Sequence, residues 1–458
     1  MKVRINIIKF YYDIMYRQKD IDTILQNLDN IEDNAKTIAL NKYEPTLKEV
    51  KNVMNEIILF IKEKKRIVYG GYAQNLLIKN KNKDDVFYRE IDLADIEFYT
   101  PDPIGDMIDI CDRLYKKNYK YVKGQEGVHE ETYKIFVNFI NYCDISYMPK
   151  EIYASCPTIT IDNILLAHPY FMLVDGYRVY NDLMTSHFRL KKTFIRFTKL
   201  IKYYPFNENN IYNKISYENS INNNNPIFSF IRKRIFHNSK LIVVGHYAFN
   251  QLMRIAKMPD TYLIDYNFYQ VISSDYNRDV DIINNKLKSF NSSITKKSFY
   301  PFFQFVDKST EWYLDNKMIL RLYGNNEKCI VYRYSPKKKT YFGTYQLIFL
   351  YNLINYIIAV IRKNKFNETN YMTMLCRMIK AQKTFLDNNN ISILDKSPYQ
   401  EFTTDCFGEP KDILRASFIE RDKKKAQGKQ IVFSYKPTGK EGKKPSYNFS
   451  NTSGNLNK

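Results

Sequence analysis

Two spacings of apolar residues divide this chain. Over residues 1 to about 62 they recur at three and four, as in Ile21, Ile24, Leu25 and Leu28 and again from Leu47 to Ile61, and a helical N-terminal segment is predicted. Ile67, Val68 and Tyr69 then form a short β-prone run. Gly70-Gly71 breaks it, and Tyr72 to Lys79 returns to helix-compatible composition. From Leu93 to Tyr99 the spacing drops to two, with Asp95 and Glu97 on one face of a predicted strand and Ile96 and Phe98 on the other. A helix is predicted around Gly105 to Lys117, followed by strands at Tyr119–Val122, Thr132–Asn138 and Tyr142–Tyr147. Asp182 to Tyr204 reads as one two-faced helix, Leu190, Phe194, Phe197 and Ile201 opposing Arg189, Lys192, Arg196 and Lys199. The most apolar stretch, Leu347 to Ile361, is interrupted by Asn352 and Asn355 and is shorter than the roughly 20 residues that span a bilayer. It is predicted to be a buried helix.

The pattern also repeats. Leu241-Ile-Val-Val-Gly-His-Tyr-Ala-Phe-Asn-Gln-Leu matches the segment opening at Arg66, with Gly245 on Gly70, Tyr247 on Tyr72, Ala248 on Ala73 and Asn250 on Asn75. Carried forward without gaps, the match sets Asp95 on Gln270 and Glu97 on Ile272, so the second copy lacks the acid pair; Asp279 and Asp281 could replace it only after an insertion. The organisation read from this is a helical segment at 1–62, a catalytic unit at 63–205, an Asn-rich linker at 206–226, a degenerate copy at 227–398 and a disordered basic tail at 399–458.

Composition narrows the partners. The 458 residues carry 70 Lys plus Arg against 49 Asp plus Glu, a formal charge of +21, which fits a polyanion binder; 40 Tyr and 30 Phe offer faces on which bases could stack. The six cysteines show no CxxC pair and read as reduced thiols. The first twenty residues lack the pattern of a secretory signal, and no basic amphipathic stretch has the bulky face of a membrane-surface helix.

The candidate chemistry lies between Arg66 and Tyr147. Glycines let a backbone approach a phosphate, and a helix N-terminus points unsatisfied N–H groups at it. Two carboxylates about 7 Å apart on one strand face repel unless a cation joins them, and hard oxygen ligands favour Mg²⁺ or Mn²⁺. Asp144 is a third carboxylate in an apolar strand. Glu90 and Asp92 form a rival pair with the same spacing. On residues alone, an ordinary glycine turn, an exposed edge strand and a solvated cationic helix face remain open readings.

YGGYAQN, ADIEFYT and DLMTSHFRLKKTF together resemble the nucleotidyltransferase superfamily, and most closely the poly(A) polymerase catalytic subunits of giant and other large DNA viruses. The resemblance spans about residues 60 to 400. It implies an α+β fold of duplicated nucleotidyltransferase-like domains, the first active and the second degenerate, that adds AMP from ATP to RNA 3′ ends with two Mg²⁺ or Mn²⁺ ions. On it, Asp95, Glu97 and Asp144 are the metal-holding catalytic carboxylates. Gly70, Gly71, Tyr72, Asn75, Thr185, Ser186, Arg189 and Lys192 face the nucleotide. From the repeat itself, the degenerate copy is expected to serve as scaffold and RNA-contact surface, with Lys337, Lys338 and Lys339 meeting phosphates. The expected setting is the host cytoplasm or the virion, without a membrane; a homodimer or a separate processivity partner is left open. A CCA-adding or oligoadenylate-synthesising enzyme would share these acids, and a non-catalytic RNA-binding subunit would share the charge.

Overall fold

The protein is seen here as a computed structural model that describes residues 16–438 apart from 44, 89–91, 93, 130, 208–224, 238, 266–267, 326–327, 411 and 429–432. Glu90, most of the expected 206–226 linker and the end of the expected tail lie outside the described residues.

Two helices, α1 (Gln18–Lys42) and α2 (Leu47–Lys64), lead in. Thr46 caps α2 by accepting from the Glu49 N–H, and Val50, Val53, Ile57, Phe60 and Ile61 line its buried face. That face packs into the first unit: β1 (Ile67–Tyr69), α3 (Gly70–Lys81), β2 (Ile96–Thr100), α4 (Pro103–Lys116), β3 (Lys123–Glu126), β4 (Thr132–Val137), β5 (Ile140–Tyr147), α5 (Lys150–Ser155), β6 (Thr158–Ile161), β7 (Ile164–Ala167), α6 (Pro169–Asn181), α7 (Leu183–Ser186) and α8 (Leu190–Tyr203). The second unit follows with α9 (Pro226–Phe230), β8 (Ile242–Val244), α10 (Gly245–Ile255), β9 (Tyr269–Ser273), α11 (Tyr276–Phe290), β10 (Thr295–Phe299), β11 (Ser309–Leu314), β12 (Lys317–Gly324), β13 (Ile330–Ser335), β14 (Thr340–Gly343), α12 (Tyr345–Ile361) and α13 (Lys365–Asn389). Then come β15 (Cys406–Phe407), α14 (Ile413–Ala426) and β16 (Ser434–Tyr435).

The duplication is visible in strand order. One sheet runs β16-β3-β4-β5-β2-β1-β7-β6 and the other β10-β11-β12-β9-β8-β14-β13-β15. Setting aside β16 and β15, the two orders coincide strand for strand. So do the directions: β2 is parallel to β5 and antiparallel to β1, as β9 is to β12 and β8. The units share one core, in which Tyr177 of α6 stacks on Phe349 of α12 at 4.6 Å and Phe171 meets Phe305 at 4.9 Å. The apolar stretch expected to be buried is α12, and among the described residues no helix is long and apolar enough to cross a membrane.

Several expectations change. The strand expected at Tyr119–Val122 instead starts four positions further on, as β3, because Tyr121 takes a left-handed backbone (φ 52°). The single helix expected over 182–204 breaks into α7, a 3-10 turn at His187–Arg189 and α8, so Phe194 is 46% exposed and the buried face rests on Phe197 and Leu200. The expected disordered tail is ordered over much of 399–438: β15 extends the second sheet beside β13 and β16 the first beside β3. Nor are all cysteines reduced. Cys329 and Cys406, 77 residues apart, form a disulfide beside the β13–β15 pairing.

Candidate active site

The glycine turn and the acid strand meet because β1 and β2 are neighbours, with Tyr69 opposite Glu97. Gly70 has φ +70°, a backbone that side-chain-bearing residues rarely adopt, and a Cβ there would stand 1.6 Å from Glu97 Oε2, so glycine is favoured. The next amide, Gly71 N–H at the start of α3, donates to Glu97 Oε2 at 3.1 Å. A Cβ on Gly71 would in turn lie 2.6 Å from both Arg196 Nη1 and the Tyr88 hydroxyl.

On the other side of β2, Glu97 is level with Asp144 of β5 in parallel register. Asp95 precedes the strand at the open rim. The three carboxylates therefore crowd one end of the sheet, and their protonation records it. Burial, then repulsion from Asp144 and Asp95, pushes Glu97 up to about 7, although the Gly71 N–H works against the shift. Asp95 is raised as well, by partial loss of hydration first and by Asp144 second. This excess of negative charge in a partly dry place suits hard divalent cations such as Mg²⁺ or Mn²⁺. Among the described residues the carboxylates are nonetheless not closed into a ready cage. Glu97 is turned to the glycine turn, and Asp144 is held by Lys134 Nζ at 2.7 and 2.8 Å and by Asn141 Nδ2 at 2.9 Å. The donor set fits the ions once these side chains turn.

The cationic stripe of α8 divides in two. Lys192 lies within electrostatic reach of Glu97 and Asp95; partial burial, ahead of Arg196, lowers its ammonium while the two carboxylates raise it. Arg189 is exposed one turn earlier beside Phe188. The lower half is paired, which the sequence had hidden: Lys199 reaches Asp85 at 3.2 Å and Lys202 reaches it at 2.8 Å. Arg196 donates to the Tyr88 hydroxyl at 2.6 Å and lies 4.7 Å from the Phe87 ring.

The remaining expected residues are scattered. Asn75 Oδ1 accepts from the N–H groups of Phe87 and Tyr88 at 3.0 and 3.1 Å, so it secures the loop rather than facing the site. Tyr72 packs half-buried against the core. Thr185 donates to Asp182 at 2.6 Å, and Ser186 stands at the break before α8. Of the rival acids, Asp92 is paired with Lys36 at 3.0 Å. Lys134, Asn141, Arg196 and Tyr88 were not singled out as site residues. The alternation Tyr133-Lys134-Ile135 does put Lys134 on a polar face, but its meeting with Asp144 depends on strand register.

A family profile described as the poly(A) polymerase catalytic subunit matches residues 55–186. A second, described as the C-terminal part of the APMV poly(A) polymerase catalytic subunit, matches residues 198–458. A relative from Acanthamoeba polyphaga mimivirus, named as a poly(A) polymerase catalytic subunit, is 31% identical over 93% of this chain and 79% of its own. This chain belongs to the poly(A) polymerase catalytic subunit family. The crystal structure of the Megavirus polyadenylate synthase is similar throughout, with a TM-score of 0.88 and 32% identity over 93% of this chain and 87% of that one. A poly(A) polymerase subunit of African swine fever virus is 27% identical over 49% of this chain and 46% of its own.

In this poly(A) polymerase family member the second unit repeats the turn and alters the site. Gly245 has φ +66° and its Cβ would meet Gln270 Oε1 at 2.0 Å; Val244 is opposite Gln270 as Tyr69 is opposite Glu97. Gln270 thus replaces Glu97, not Asp95, and Phe268 replaces Asp95, correcting the gap-free match by two residues. Arg321, level with Gln270, replaces Asp144. Its cross-strand partner is Glu311, where the first unit has Lys134. His246, buried where Gly71 stands in the first unit, fills that place with an imidazole and is held neutral, pushed down to about 3 by burial and then Arg321. Asp279 and Asp281 are on α11, and Asp279 accepts from the Ser273 hydroxyl at 2.5 Å, so they do not restore the acid pair. Lys337, Lys338 and Lys339 form the exposed tip of the β13–β14 hairpin, with Lys338 5.6 Å from the Tyr247 ring.

Proposed function

We propose that this chain extends RNA 3′ ends with AMP units taken from ATP, and that the first unit alone carries the chemistry. The observation that carries the reading is the Gly70-Gly71 turn seated on Glu97, beside Asp95 and Asp144, in a member of the poly(A) polymerase family. Asp95, Glu97 and Asp144 would hold the divalent ions, which when bound supply neutralisation of the triphosphate and activation of the RNA 3′-hydroxyl for in-line attack at the α-phosphorus. Gly70 and Gly71 present backbone without side chains to the phosphates at the positive end of α3. Lys192 and Arg189 supply charge on the open side, where pyrophosphate leaves. Arg196, stacked on the Phe87–Tyr88 loop, fixes the wall behind the turn.

RNA and ATP are the partners of this reading, and the host cytoplasm or the virion its setting. A homodimer or a processivity subunit is tested by sedimentation with and without RNA. The primary experiment incubates the protein with an RNA primer, Mg²⁺ or Mn²⁺ and each of the four nucleoside triphosphates, first separately and then with CTP and ATP together. Long extension with ATP alone supports the reading. Addition of a fixed short sequence from CTP and ATP, or primer-independent oligoadenylate, would replace it with the related nucleotidyltransferase activities.

A further inference from the structure

Lys134 and Asp144 face each other across the antiparallel β4–β5 pair, so their side chains share one face of the sheet. The ammonium is shared between both carboxylate oxygens, at 2.8 Å from Oδ1 and 2.7 Å from Oδ2, and Asn141 adds a donor to Oδ1 at 2.9 Å. Three of the carboxylate's roughly four acceptor positions are thereby taken. A cation at the roughly 2.1 Å of a Mg²⁺–oxygen bond, using either lone pair that Lys134 now uses, would crowd the ammonium and repel it.

The second unit offers an internal comparison. At the same crossing it carries Glu311 and Arg321, with the polarity reversed. Arg321 Nε donates to Glu311 Oε1 at 2.7 Å, and its guanidinium lies 5.6 Å from Phe268, the residue that replaces Asp95. There a fixed, forked cation stands on the strand position of Asp144 itself, and the site is closed. In the first unit the cation is on the neighbouring strand, on a flexible stem with a single ammonium, 30% exposed. That side chain has a way out to water.

We propose that Lys134 is a positioning residue that holds Asp144 until a divalent ion displaces it, so that the ammonium and the ion are alternative partners of one carboxylate. The proposal rests on the reading of Asp144 as a metal ligand. It assigns Lys134 two effects: it keeps the metal-free site intact, and it sets how much free metal the enzyme needs.

The test is Mn²⁺ binding to the full chain without nucleotide, followed by electron paramagnetic resonance, together with thermal unfolding at increasing Mn²⁺. Lys134→Met should tighten the apparent Kd about five- to tenfold, lower Tm without metal and enlarge the rise in Tm on adding Mn²⁺. Lys134→Arg keeps the pair with a stronger fork and should weaken Mn²⁺ binding, so the idea stays testable if the Met variant fails to fold. Lys192→Met controls for the general field of a nearby charge. Equal tightening in Lys134→Met and Lys192→Met, or unchanged or weaker binding in Lys134→Met, would overturn the exchange. Asp144→Asn separates the two levels. If it leaves Mn²⁺ binding intact, the ligand reading itself fails; if it weakens binding while both Lys134 variants behave as wild type, only the exchange fails.

Discussion

Glu97 and Gln270 occupy the same place beneath two copies of one glycine turn, and they differ by a carboxylate's charge. A Cβ on Gly70 would stand 1.6 Å from Glu97 Oε2, and one on Gly245 would stand 2.0 Å from Gln270 Oε1. Glu97→Gln therefore gives the first unit the side chain that the second already tolerates. It should leave the fold intact and lower RNA extension by about three to four decades, as should Asp95→Ala and Asp144→Ala. Near-normal extension by Glu97→Gln, with divalent metal still required, would remove Glu97 from the site.

The same substitution has a signature in stability against pH. The Glu97 carboxyl is raised in the folded protein from the ordinary 4.5 to about 7, by burial before anything else. The native state thus keeps a proton that the unfolded chain releases. The stabilisation is fully present below pH 4.5 and is lost as pH rises through about 7, by at most roughly 3 kcal/mol. Metal-free wild type should become less stable from pH 5 to pH 8, while Glu97→Gln should show a flatter profile. With Mn²⁺ present the trend opposes this, because the ion takes the ionised carboxylate and binds more tightly as pH rises. Chemical denaturation at several pH values, with and without Mn²⁺, reads both slopes; parallel profiles for wild type and variant would refute the assignment.

Lys192 and Arg196 are one helical turn apart, yet different losses are expected. Lys192 is within reach of Glu97 and Asp95 and has no hydrogen-bonded partner among the described residues. Lys192→Ala should raise the KM for ATP about tenfold, with RNA affinity little changed. Arg196→Ala frees the Tyr88 hydroxyl and the Phe87 ring together, and should lower Tm as well as activity. If RNA affinity fell in Lys192→Ala while the KM for ATP stayed put, that lysine would belong to the RNA path.

The hairpin tip at Lys337, Lys338 and Lys339 is the expected RNA contact of the second unit. Changing all three to Gln should weaken RNA binding and flatten its salt dependence by about one counterion per lysine removed, with single-nucleotide addition at saturating primer unchanged. Fluorescence anisotropy across a salt titration measures it. An unaltered slope would place the RNA elsewhere.

What the sequence revealed follows the range of the forces involved. The glycine turn, Glu97 on its strand and Asp144 on another were legible because period-two alternation and a positive-φ glycine are local facts. The duplication was legible from identities around Gly245, but its continuation into β9 was not. Two residues fewer separate that turn from the strand, and only the pairing of Val244 with Gln270 fixes the register. Lys134 on Asp144 and Lys199 on Asp85 could not be read for the same reason, since each joins elements whose alignment the core decides. The ordered parts of 399–438 were missed because their composition is polar. They are ordered by partners: Phe407 lies against the Tyr332 ring, and Tyr435 donates to Asp112.

That last contact spans 323 residues and bears on when the protein can be finished during its synthesis. The strand beside β3 in the catalytic sheet is made of Ser434 and Tyr435, after the whole second unit has been translated. At about 5–20 residues per second, the edge at β3 waits roughly 15 to 65 s for its neighbour. Through that interval an unpaired strand edge is exposed to other nascent chains. A messenger cut short before codon 434 would yield every residue of the active site and still leave that edge open.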